Sequence, residues 1–94
     1  MVITREEETR FPTFLNHKSA RLWFKEKYGK HFVMVGSEVI DGEKVYFYNL
    51  VLDRETYLEG REKLQSGEMV TGFDFINSYQ AVEVYENGNI HVVH

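Results

Sequence analysis

Apolar residues recur at two periods along this chain, and the change of period marks its elements. Between residues 16 and 29, Ala20, Trp23, Phe24 and Tyr28 fall on one side at helical spacing, and Lys18, Arg21 and Lys25 share the other. Asn16 can cap that helix by accepting a backbone N–H bond, and Gly29 can end it in the left-handed conformation. Lys25 and Lys27 sit in its last turn, where positive charge suits the helix dipole. Two runs rich in valine and aromatics follow, 31–40 and 44–52, with Asp41-Gly42 as turn chemistry between them. A two-residue turn there pairs Ile40 with Glu43, Val35 with Tyr48 and Val33 with Leu50. One hairpin face then shows Val33, Val35, Val39, Tyr46, Tyr48, Leu50 and Leu52, and the other Phe32, Met34, Ile40, Val45, Phe47 and Val51. Neither face is polar, so the pattern predicts a hairpin covered on both sides.

A second helix is expected from about Asp53, as N-cap, to a stop at Gly67. Tyr57, Gly60 and Leu64 form its inward stripe, flanked by Leu58, while Glu55, Glu59 and Glu62 point outward and Glu59 pairs with Lys63. Gly60 costs ~1 kcal/mol relative to alanine in mid-helix, which close packing against the sheet would explain. Residues 69–78 carry no clear period: Gly72 interrupts them, and Phe73, Phe75 and Ile76 need cover. A closing hairpin spans 79–85 and 90–93 about Asn87-Gly88, a dipeptide whose two positions both tolerate positive φ. The order α-β-β-α-β-β predicts an α+β fold, a four-stranded, mainly antiparallel sheet with two helices packed on it. Residues 1–12 read as a flexible arm or short edge strand, with Pro12 limiting regular structure, and 13–94 as one domain.

Composition narrows the classes. The chain has 94 residues, enough for one domain, and its 43% apolar and 28% charged content is that of a folded globular chain rather than a disordered one. No apolar run approaches the ~20 residues of a membrane helix, so no membrane partner is expected, and residues 1–12 lack an apolar signal-peptide core. With no cysteine, disulfides, thiol catalysis and cysteine-ligated metals are excluded, and the expected setting is cytoplasmic. The net charge of −4 is unevenly spread. Residues 9–35 carry six basic side chains against Glu26 alone, whereas 36–94 carry four basic and eleven acidic ones. Such asymmetry marks either a basic binding surface or two parts of the fold that attract each other.

Candidate chemistry is sparse. On a strand, His91 and His94 point to opposite faces, while His17 and His31 flank the first helix without a neighbouring ligand, so no metal is assigned. Glu55, Glu59 and Glu62 read as a solvated helix face, and Asp41 and Asp53 as turn and cap. No nucleophile elbow, phosphate loop or dinucleotide fingerprint is present, so no catalytic residue or cofactor is assigned and a small enzyme ranks third. Second is a nucleic-acid or polyanion binder, in which Lys18, Arg21 and Lys25 track phosphates and Lys27, Lys30 and Arg10 extend the field. First is a protein-interaction module or self-associating domain, a homodimer or a complex with another protein. Its surface is the sheet face bearing Tyr46, Tyr48, Val33 and Val35, because an apolar face left without a helix marks an interface.

Overall fold

Helix punctuation falls where the sequence places it. In the computed structural model, which describes residues 2–70 and 72–94, the first long helix is α2 (His17–Tyr28), preceded by a four-residue helix α1 (Arg5–Glu8). Asn16 Oδ1 accepts the Ser19 N–H at 2.9 Å, and Gly29 closes the helix with φ +57°. Strands β1 (Phe32–Ile40) and β2 (Glu43–Val51) form the central hairpin, and helix α3 (Arg54–Gln65) follows, capped by Asp53. Strands β3 (Tyr79–Tyr85) and β4 (Ile90–Val92) complete an antiparallel sheet in the order β1-β2-β3-β4. The fold is thus α+β in the expected order, with α1 as an addition. Among the described residues no helix is long and apolar enough to cross a membrane.

The two long helices take opposite faces of the sheet. Phe24 of α2 stacks on Phe32 at 4.8 Å between ring centroids, and Phe32 stacks on Tyr48 at 4.5 Å. This column, with Leu50, Val82, Val84 and Val92, is the buried face under α2. Residues preceding α2 complete the cover: Ile3 is fully buried, and Phe11 and Phe14 pack edge-on or tilted against Trp23 and Phe24. Ile3 is held by the side-chain amide of Gln80, which accepts its N–H at 2.8 Å and donates to its C=O at 2.9 Å. That amide supplies the two bonds a neighbouring strand would otherwise supply. Glu8 adds a second tether, with Oε1 bonded to His94 Nε2 at 2.7 Å and Oε2 accepting the Val92 N–H at 3.3 Å.

On the other face α3 covers one end only. Tyr57 is buried, accepts a bond from Asn49 Nδ2 at 3.1 Å and meets Phe75 and Tyr79. Gly60 is buried, and the group nearest to it is the Phe75 ring. A Cβ built there would overlap the ring of Phe75, so the missing side chain makes room for a residue of the 69–78 stretch.

Two local expectations are corrected. The hairpin turn places Ile40 opposite Glu43 as expected, with Asp41 and Gly42 both at positive φ, yet Val35 is a β-bulge. Tyr48 therefore faces Met34 rather than Val35, and Leu50 faces Phe32 rather than Val33. One extra residue reverses the faces of everything N-terminal to it. In the second hairpin only Gly88 has positive φ. Gly88 N–H bonds Tyr85 C=O and Tyr85 N–H bonds Asn89 C=O, each at 2.9 Å, giving a three-residue loop with a glycine bulge. Its glycine lies hard against the Phe14 carbonyl, where a side chain would clash.

Replacing Gly60 tests the packing directly. Gly60→Ala in an open helix should gain up to ~1 kcal/mol, but overlap with Phe75 costs ~1–3 kcal/mol. The expected outcome is a net loss, read as a lower urea midpoint at unchanged slope.

Candidate interaction surface

The bulge decides where the residues expected to form one apolar face lie. Tyr46 and Tyr48 share the face under α2, and Tyr48 is 1% exposed, a member of the core. Val33 pairs with Asn49 and lies half-buried on the opposite face, while Val35 is the bulged residue and is 38% exposed. The four do not form a common surface.

Tyr46 and Tyr48 instead hold the start of α2. His17 Nε2 and Tyr48 Oη share a hydrogen bond of 2.7 Å, and the His17 ring stacks on Tyr46 at 3.5 Å, 5° from parallel. Tyr46 Oη donates to Glu86 Oε2 at 2.8 Å, and the Glu86 carbonyl accepts the His17 N–H at 3.0 Å. Lys44 Nζ lies 5.0 Å from the Tyr46 ring centroid. Helix, hairpin and β3–β4 loop are joined at this cluster. Burial pushes the His17 ring below its ordinary pKa of 6.5; Glu86 opposes that shift, and Arg21 and Lys44 add to it. Burial likewise raises the Tyr48 hydroxyl.

What the bulge and the meander leave open is the outer side of β1. It is an edge strand, and from Met34 to Ile40 every residue is exposed. Met34 is 57% exposed, Val39 67% and Ile40 46%, and Glu38 is the one charge in the strand. Edge strands are ordinarily short, charged or covered. Here the covered edge is the other one: β4 has three residues, and its outward Val92 N–H is taken by Glu8.

The backbone of β1 can be oriented residue by residue. Lys44 C=O accepts the Glu86 N–H at 2.9 Å, so the Lys44 backbone faces the β3 side. Its partner Val39 therefore belongs to a non-hydrogen-bonded pair, and its own N–H and C=O point to the open side; Ser37, two residues earlier, does the same. Sequence reasoning missed this edge. Its signals were Gly36, since a glycine inside a strand often marks a bulge, and the placing of β1 first in a succession of hairpins.

The cations of the polyanion reading are also placed. Lys18, Arg21, Lys25 and Lys30 are exposed, and Lys27 Nζ sits 5.0 Å from the Trp23 ring centroid. None of the five forms an ion pair among the described residues. A groove of about 570 Å3 lies where β4 ends, but its polar lining includes Gln80 and His94, already bonded to Ile3 and Glu8.

The histidine cluster carries a pH signature. A folded-state pKa below the unfolded value leaves stability whole above ~6.5 and removes it as pH falls through the folded value. Between pH ~7.5 and ~5.5 the thermal midpoint of the native chain should therefore fall further than that of His17→Gln, measured by circular dichroism. Comparison with protein-family models, curated protein sequences and solved structures finds no match to this chain.

Proposed function

We infer that the protein is a small binding module that associates with a second copy of itself through the β1 side of its sheet. The observation that carries this reading is the edge strand itself, which presents Met34, Val35, Val39 and Ile40 to solvent around a single charge. Exposed apolar side chains gathered along one edge strand favour burial against a partner. The anchors are these four side chains rather than Tyr46 and Tyr48, whose rings are engaged with α2. Sedimentation across a concentration series tests the reading. The expected species at high concentration has twice the 11.1 kDa chain mass, and Val39→Lys returns it to the monomer with unchanged far-ultraviolet circular dichroism. A chain that stays monomeric throughout contradicts it.

A second reading has its own observation. Lys18, Arg21 and Lys25 project from the exposed side of α2 without ion-pair partners among the described residues, a spacing suited to successive phosphates. If α2 binds a polyanion, oligonucleotide titration at low salt should shift amides of residues 16–30. Reversing the three charges should abolish those shifts, and added salt should weaken them. Overall negative charge and the position of Trp23 and Phe24 on the core side place this reading second.

A further inference from the structure

The orientation of the β1 backbone determines how two copies would meet. Ser37 and Val39 turn their N–H and C=O groups away from β2, so these are the residues whose backbone is free to pair. An additional strand is the occupant that satisfies a row of such groups while covering the side chains beside them.

Resting on the self-association reading above, we propose that two copies pair β1 to β1 in antiparallel fashion about a two-fold axis through Ser37, giving one continuous sheet. Symmetric pairing of outward-turned residues allows three registers around this point. Centring on Glu38 sets the two Glu38 carboxylates opposite each other, which repels. Centring on Val39 leaves Met34 and Val35 without cover. Centring on Ser37 sets Glu38 opposite the second copy's Gly36 and brings Val39 alongside its bulge at Val35; the bulge puts Met34 on the α2 face and Ile40 on the other, so those two flank the paired stretch on opposite faces. The exposed length of both strands then lies within the contact, and the two Glu38 carboxylates no longer face each other.

Charge along the strand favours the same direction. Lys30 and His31 lie at the start of β1, and Glu38, Asp41 and Glu43 at its hairpin end, with Lys44 turned onto the Tyr46 ring. An antiparallel copy brings the basic start beside the acidic end, whereas a parallel copy aligns like charges. The assembly also closes. Continued growth would need β1 of one copy to join β4 of the next, and that edge is short and its outward Val92 N–H is held by Glu8. A bulge commonly keeps other strands away from an edge, but here it leaves regular strand from Gly36 to Ile40, which carries both outward-turned residues.

Amide hydrogen exchange at concentrations giving dimer and monomer tests the pairing. The Ser37 and Val39 amides should exchange at least ~tenfold more slowly in the dimer, while Glu38 and Ile40, bonded to β2, stay slow in both. Ser37→Pro deletes one outward N–H without touching the β1–β2 ladder and should yield a folded monomer. A dimer lost in Val39→Lys, with Ser37 and Val39 fast-exchanging and Ser37→Pro still dimeric, overturns strand pairing while leaving self-association through this surface intact. A native chain that is monomeric at every concentration overturns both. If Ser37→Pro does not fold, the exchange rates of the native chain decide alone.

Discussion

The aromatic column from Phe24 through Phe32 to Tyr48 is the contact on which the rest of the molecule depends, because it fixes which face of the hairpin belongs to α2. Rings stacked at 4.5–4.8 Å leave little freedom in the register of the strands that carry them. Phe32 must share the face of Tyr48 under the helix, although regular pairing counted from Ile40 and Glu43 would set it opposite Val51 on the other face. One residue has to be accommodated out of step, and Val35 is that residue. The bulge is thus the geometric consequence of burying Phe32 while keeping the tight Asp41-Gly42 turn.

The same arrangement determines where binding capacity remains. A sheet apolar on both faces needs cover on both, and this chain divides the task unequally. Helix α2 and the residues before it cover one face, tied down by Gln80, Glu8 and the His17 cluster. On the other face α3 reaches only the end near Asn49 and Tyr79. Since the N-terminal residues also guard β4, the chain spends its spare segment on one edge and leaves β1 exposed. The proposed function follows from that division: four exposed apolar side chains and the unpaired backbone groups of Ser37 and Val39 coincide on β1.

Much of this fold was legible beforehand because it is written in local chemistry. Asn16, Asp53 and Asp41-Gly42 each act on a backbone group within a few residues, and each does what its residue type predicts. The parts that were not legible involve groups distant in sequence. Gln80 gripping Ile3, Gly60 yielding to Phe75 and Gly88 meeting the Phe14 backbone are all contacts without a periodic trace. The bulge lies between these cases, since Gly36 hinted at irregularity but only the packing of Phe32 located it. Missing it misplaced Val33 relative to the tyrosines, and with them the expected binding face. The exposed edge became readable only once strand order was known.

The most direct test of self-association through β1 is an isotope-filtered nuclear Overhauser experiment on a mixture of labelled and unlabelled chain. Contacts between copies should link the α-protons of Gly36 with that of Glu38, residues that lie two apart along the strand within one chain. Contacts between copies that instead arise from α2 or from Met69 and Phe73, or none at concentrations where the chain dimerises, would contradict the account.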